Sequence, residues 1–171
     1  MKTALEIKTN KFIDERDRLS NEIARNWKII ATENIIKKGT IRNYDMKQLL
    51  AYIKTLYEKL ILTKLRIQCA NMGMKLKDLP KDANIINIYK LSAYNEYCVK
   101  VDELMRKHTI KPILKIKKGK RALSVTEELT YSYLKREKDS YTVKANKIRK
   151  EIEDFNNQDL TDDTIPLFLV A

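Results

Sequence analysis

The chain has 171 residues, of which 43% are apolar and 34% charged, and a formal net charge of +12. This length suits one domain with a sizeable core, and three Gly and three Pro in all argue for long helices and against an all-β fold or a disordered chain. Two cysteines and one histidine exclude a disulfide framework and leave too few ligands for a zinc or iron–sulfur centre.

Two long segments with apolar residues at helical spacing make up the first part of the chain. We predict helices over residues 3–37 and 45–72. Asp45, followed three residues later by Gln48, is a typical helix start, because an Asp side chain can accept a hydrogen bond from a free backbone N–H. The connection is short and contains Gly39, so we expect the two helices to form an antiparallel hairpin.

A basic segment, at about residues 109–124, follows a third predicted helix over residues 83–108. A small β-hairpin around Gly119 and an irregular loop both fit it. The candidate contacts for nucleic acid or for an acidic protein partner are its clustered cations, Lys115, Lys117, Lys118, Lys120 and Arg121. Such groups neutralise phosphates and release counterions. A solvated loop tip without a partner is the remaining alternative.

The fourth predicted helix covers residues 125–157 and begins with a capping-box pattern, Ser124 followed by Glu127. Its apolar residues alternate steps of three and four, which is the 3.5-residue repeat of coiled-coil packing. The seam that we predict consists of Leu134, Tyr141, Ala145, Ile148, Ile152 and Phe155.

The last segment, residues 156–171, differs in character from the helical domain that we predict over residues 1–155. It carries Asp159, Asp162 and Asp163, contains no Lys or Arg, and ends in an apolar run. Because a free apolar run would be adhesive, we expect it to dock either on its own bundle or on a neighbouring chain. The candidate docking residues are Ile165, Pro166, Leu167, Phe168 and Leu169.

Catalytic patterns are hard to assemble from these residues. His108 is the one histidine and lies at a predicted helix end, where a structural role is the better interpretation. The carboxylate pairs are adjacent in sequence, so on a helix they point in different directions and do not converge on a metal. The nine tyrosines fall mostly on or near apolar stripes, which favours packing over base stacking. We therefore predict no enzyme, no cofactor and no metal.

The sequence thus predicts an all-α fold with three or four long helices in an antiparallel, coiled-coil-like bundle. In overall plan it resembles the small helical virion proteins of tailed phages, such as head–tail connector or ring subunits, although no diagnostic motif carries this resemblance. It implies a structural protein that assembles with other subunits, as a homo-oligomer, inside the cytoplasm or in a virion.

Two alternatives remain open: a basic accessory protein that binds DNA or RNA, and a small phage-encoded inhibitor of a host nucleic-acid enzyme. A small ribosome-associated protein would share the charge and the helices. Part of the charge could instead reflect the lysine codons of an AT-rich genome. The chain shows no signal-peptide pattern and no apolar run of membrane-spanning length, so we expect neither secretion nor a membrane partner.

Overall fold

The computed structural model describes residues 4–109 and 125–159. These residues are mostly helical, which confirms the predicted helical character. In chain order the elements are α1 (Ala4–Glu33), β1 (Ile35–Lys37), α2 (Met46–Asn71), a short 3₁₀ turn (Leu76–Asp78), α3 (Asn84–Thr109), β2 (Val125–Glu127) and α4 (Tyr131–Asp159).

The start of α2 is capped from two sides. The Oδ1 atom of Asp45 accepts a hydrogen bond from the backbone N–H of Gln48 at 2.8 Å, so the predicted cap is confirmed. From across the fold, Oε1 of Glu128 accepts from the backbone N–H groups of Met46 at 3.1 Å and Lys47 at 3.3 Å. Two carboxylates thus satisfy free N–H groups and face the positive end of the helix dipole.

The first helix ends earlier than the sequence pattern predicts. It stops at Glu33, and Ile35–Lys37 forms strand β1, which pairs antiparallel with β2 so that Ile35 lies opposite Glu127. The two consecutive β-branched residues, Ile35 and Ile36, suit a strand. The side chain of Asn34 hydrogen-bonds to the backbone of Leu129 instead of remaining on a helix surface. The prediction of helix through residue 37 was therefore wrong.

The start of the fourth helix was also predicted wrongly. Val125–Glu127 is strand β2, and α4 begins at Tyr131, where Oγ1 of Thr130 accepts a hydrogen bond from the backbone N–H of Tyr133 at 3.2 Å. Glu127 does not close a capping box, because its carboxylate contacts His108. The predicted hairpin around Gly119, with its five clustered cations, and the docking residues 165–169 lie outside the described residues.

The hydrophobic core lies toward the end of the helices that carries the small sheet. Most of the buried apolar residues occupy the second half of α1, the first half of α2, the second half of α3 and the first half of α4. The largest fully buried side chains are Leu19, Ile30, Met46, Leu50, Ile53, Leu56, Tyr97, Leu129 and Leu134. The helices pack mainly as two pairs, α1 with α2 and α3 with α4. Along the described stretches, no helix has both the length and the apolar character that crossing a bilayer requires.

Candidate functional site

A buried polar cluster fixes the sheet end of the fold around Asn34, which is 3% exposed. Its Oδ1 accepts from the backbone N–H of Leu129 at 2.7 Å, and its Nδ2 donates to the carbonyl of Leu129 at 2.9 Å. The same Nδ2 lies 3.2 Å from Nε2 of His108. One amide therefore joins the end of α1, the end of α3 and the segment before α4.

His108 is held as a structural link by the same cluster. Because Nδ2 of Asn34 can only donate, Nε2 of His108 accepts, and Nδ1 carries the proton that it donates to Oε2 of Glu127 at 2.8 Å. The residue is 5% exposed and both ring nitrogens are engaged. This geometry links the end of α3 to the residue after α1 and to strand β2.

Arg42 ties the connection between β1 and α2 to the same end. Its Nη2 donates to the backbone carbonyls of Asn34 and Thr126, both at 2.9 Å, and its Nε donates to the carbonyl of Glu33 at 3.3 Å. A planar guanidinium can satisfy several carbonyls at once, which is why arginine suits this position.

Cations collect on the outer surface of this fixed end. Lys37 pairs in register with Val125, the first described residue after the basic segment, and Lys37 and Lys38 are both exposed. Lys107 lies in the last turn of α3, directly before that segment, and its Nζ donates to the carbonyl of Ala31 at 3.0 Å.

The neighbouring carboxylates have hydrogen-bond partners of their own at this end. Glu127 is engaged by His108, and Glu128 by the start of α2. Lys37, Lys38 and Lys107 therefore lie at the end of the fold where the described chain stops before the basic segment and resumes after it.

A second feature is an open cleft of about 430 Å³ between α2, α3 and α4. Its walls and floor are mostly apolar or aromatic: Tyr57, Ile61, Leu62, Leu65, Ile86, Ala93, Tyr94, Tyr97 and Tyr141. Three lysines, Lys54, Lys90 and Lys144, line it together with the carboxylate of Glu58, and Lys54 is paired with Glu137 at 2.6 Å. A lining of this kind suits an apolar ligand that carries negative charge.

The inner end of the cleft is a stack of aromatic rings centred on Tyr97. Its ring lies 4.1 Å from that of Tyr141 in a stacked arrangement. Trp27 and Tyr57 meet the Tyr97 ring edge-on at 5.5 and 6.2 Å. The Tyr97 hydroxyl donates to Glu137 at 3.0 Å, so even this buried phenol has a polar partner. All four helices contribute a ring to this cluster, so its packing holds the four helices together.

The buried hydroxyls predict a loss of stability in alkali. Burial raises the pKa of Tyr57 and Tyr97, and it raises the pKa of Tyr141 to about 12. An unfolded tyrosine titrates near pH ~10, so between this pH and the folded pKa the unfolded chain releases the proton first. The contribution of these tyrosines to the free energy of unfolding is therefore fully present below about pH 10. Above that pH it falls by about 1.4 kcal/mol per pH unit for each fully buried tyrosine.

Urea unfolding between pH 8 and 11 measures this effect. Tyr97→Phe removes one titrating group while keeping the ring, so its stability should fall less steeply with pH than that of the natural chain. Equal slopes for the two proteins would show that Tyr97 does not contribute.

The residues of the predicted seam differ in how far they are buried. Leu134, Ala145 and Ile148 are buried, Ile152 is half-buried, and Phe155 is 41% exposed. Tyr141 faces the cleft. Lys138, which lies four residues after Leu134 and three before Tyr141 and so continues the same spacing, forms an ion pair with Asp102 of α3, with Nζ–O distances of 2.7 and 2.8 Å.

Asn34, Arg42 and the cleft were not found from the sequence. The partners of Asn34 lie 74 and 95 residues away along the chain, so no local spacing reveals them. The tyrosines did give a signal, since Tyr94, Tyr97 and Tyr141 fall on apolar stripes, but the stripes alone do not show that the rings converge.

Within the two described ranges, no group of His, Cys, Asp and Glu side chains gathers as a metal site would require. No protein-family model, curated protein or solved structure matches the chain.

Proposed function

We propose that this chain is a non-enzymatic protein that binds the phosphate backbone of DNA or RNA through the sheet end of its fold. The observation that carries this proposal is the pairing of Lys37 with Val125. That register places Lys37 and the adjacent Lys38 beside Val125, the residue at which the described chain resumes after the basic segment.

The basic segment supplies most of the charge. Residues 110–124 contain six Lys or Arg and no Asp or Glu. The residues flanking them are anchored, because His108 bonds to Glu127 and Asn34 bonds to Leu129. A cationic segment with fixed ends loses less freedom on binding than one attached to a mobile support.

The helical body would serve as the support for this surface, and we infer that its four helices form an antiparallel bundle. Between α3 and α4, Asn87 contacts Glu151, whereas Asp102 contacts Lys138. Partners that lie later in α3 thus lie earlier in α4, as antiparallel packing requires. For α1 and α2, Trp27 donates to Tyr57 at 3.3 Å, whereas the guanidinium of Arg66 lies over the ring of Phe12, which is the same antiparallel order.

Salt-dependent binding tests the proposal. We expect the protein to bind duplex DNA and RNA with an affinity that falls steeply with salt, by a slope of about −0.9 for each phosphate neutralised. Replacing Lys37 and Lys38 with Gln should reduce the slope by up to about 2, and replacing Lys115, Lys117, Lys118, Lys120 and Arg121 should reduce it by more. Fluorescence anisotropy at four salt concentrations gives these slopes.

A matched control lies at the other end of the helices. Lys77 and Lys81 are exposed in the connection between α2 and α3, and changing both to Gln removes the same charge. If this pair lowers the slope as much as Lys37→Gln with Lys38→Gln, binding is a general effect of net charge and the proposed surface is wrong.

A second candidate function, a structural subunit of a larger assembly such as a virion, is favoured by the open cleft. An apolar, lysine-rimmed surface of this size suits docking of a peptide from another subunit. The last described turns of α4 add an exposed surface, because residues 153–157 are all exposed. Light scattering distinguishes the two candidates: an assembly subunit should give a mass several times the 20.2 kDa of one chain.

A further inference from the structure

We propose that the cleft between α2, α3 and α4 is the binding site for residues 165–169 of the same chain, Ile-Pro-Leu-Phe-Leu. This inference does not depend on nucleic-acid binding, which would use the opposite end of the helices. It rests on the agreement between the cleft and this segment in length, reach, polarity and charge.

The length of the cleft matches five extended residues. Its lining residues run from Lys54 to Leu65 on α2 and from Ile86 to Tyr97 on α3, which is eleven residue-to-residue steps along each helix. At a rise of 1.5 Å per residue this corresponds to about 17 Å. An extended chain advances by about 3.3 Å per residue, so about five residues fill that length.

The end of α4 lies within reach of the cleft. Asn87, next to the lining residue Ile86, donates to Glu151 at 3.2 Å, so this edge of the cleft is level with Glu151. Helix α4 continues eight residues further to Asp159, a distance of about 12 Å. Residues 160–164 can span up to about 17 Å when extended, which is enough to return from Asp159 to the edge.

The segment has the polarity that the cleft requires. Side chains of an extended chain alternate between two faces, so Ile165, Leu167 and Leu169 would all point to one side, toward the apolar floor. Burying three such side chains against apolar walls is the main favourable contribution to docking. Leu62, 39% exposed at the cleft, and the half-buried Ile61 would gain cover from them.

The charges agree as well. Asp159, Asp162 and Asp163 precede the apolar run, and residues 156–171 contain no Lys or Arg. Lys90 is half-buried in the lining of the cleft, and Lys144 stands 4.5 Å above the ring of Tyr141. Attraction between these aspartates and these lysines would set the direction of the segment, with its acidic end nearest the end of α4.

Attachment to the same chain favours this occupant over the equivalent segment of a second copy. A short tether holds the segment at an effective concentration of about millimolar, which exceeds the concentration of other copies in a dilute solution. The docked segment then excludes other apolar peptides from the cleft.

Peptide competition tests the proposal. The probe is a fluorescent peptide with the sequence of residues 159–171, titrated into the full chain and into a chain that ends at Asp159. We expect the shortened chain to bind the peptide and the full chain to bind it at least tenfold more weakly, because its own segment occupies the site. Light scattering should show that both proteins are monomers.

Two substitutions locate the binding site on the shortened chain. Leu62→Glu places a charge in the cleft and should weaken peptide binding at least tenfold. Val99→Glu makes the same change at a residue of α3 that is 55% exposed and does not line the cleft, and it should leave binding unchanged. Circular dichroism verifies that both variants keep their helices.

A full-length variant guards against a folding defect in the shortened chain. Leu167→Asp combined with Leu169→Asp keeps the length but removes the apolar face, so this protein should bind the peptide as the shortened chain does. The proposal is overturned if neither protein binds the peptide, or if the full chain binds it equally well. It is also overturned if the full chain is an oligomer that dissociates on shortening, since the segment would then occupy the cleft of a neighbour.

Discussion

Replacing Asn34 with leucine is expected to destabilise the protein by about 3 kcal/mol or more, because the change leaves several buried polar groups without partners. The backbone N–H and carbonyl of Leu129 lose their hydrogen bonds at 2.7 and 2.9 Å, and Nε2 of His108 loses its contact at 3.2 Å. Each orphaned group costs about 1–3 kcal/mol. Leucine has the branched shape of asparagine and is larger, so no cavity is left, and the loss would reflect the broken hydrogen bonds together with the crowding of two methyl groups.

Urea unfolding followed by circular dichroism measures this loss. Asn43→Leu is the matched control, because Asn43 is exposed in the connection between β1 and α2. We expect the control to change the free energy of unfolding by less than about 0.5 kcal/mol. Similar losses for the two variants would mean that the polar cluster does not hold the sheet end together.

The Asn34 variant also bears on function through the basic segment. His108 and Leu129 stand on either side of that segment, at the end of α3 and before α4. If the cluster fixes the segment, Asn34→Leu should weaken nucleic-acid binding at low temperature, where the chain is still folded. The affinity of the Asn34 variant would then measure how much fixed ends of the basic segment contribute to binding. The lysine variants measure the contribution of the charge.

Most of the helical plan could be predicted because its signals are local. Leu49, Ile53, Leu56 and Leu60 recur at helical spacing, and Asp45 provides the cap, so the start of α2 was placed within one residue. The errors arose where a local pattern competed with a distant contact. Ser124 and Glu127 have the spacing of a capping box, yet Glu127 bonds to His108 and Thr130 accepts the hydrogen bond at the start of α4.

The sheet could not be predicted from its strands alone. Ile35 and Ile36 continue the apolar pattern of α1, and only the pairing with Val125–Glu127, ninety residues away, makes a strand the better state. Isolated three-residue strands are weak, so this pair depends on the buried bonds of Asn34 and Arg42 beside it. Such dependence on distant residues is invisible to any local window.

The two candidate surfaces follow from where the core lies. At the sheet end, the space between the helices is filled by the Asn34 cluster and by buried residues such as Met46, Leu129 and Leu134. A partner can therefore contact only the surface side chains at this end. Toward the other end the core thins out, and the space between Leu62 and Ile86 stays open as the cleft. One fold thus offers a rigid charged end and an apolar recess.

Tyr97 packs between these two regions. Removing its side chain should lower the free energy of unfolding about as much as the Asn34 substitution does. Tyr97 is 1% exposed and its ring meets residues of the three other helices, Trp27, Tyr57 and Tyr141. Truncating a buried aromatic residue to alanine costs about 3–5 kcal/mol, through lost burial and the cavity left behind. We expect Tyr97→Ala to fall in this range in urea unfolding.

Two further variants serve as controls. One distinguishes the effect of losing the Tyr97 ring from that of losing its hydroxyl, and the other removes a tyrosine ring at an exposed position. Tyr97→Phe keeps the ring and loses only the hydrogen bond to Glu137, whose carboxylate retains Lys54 at 2.6 Å, so it should cost about 1 kcal/mol. Tyr131→Ala removes a ring that is 42% exposed at the start of α4 and should cost less than about 1 kcal/mol. If Tyr97→Ala costs no more than Tyr131→Ala, the stacked rings do not join the helices. The cleft would then lack the rigid floor that docking of residues 165–169 requires.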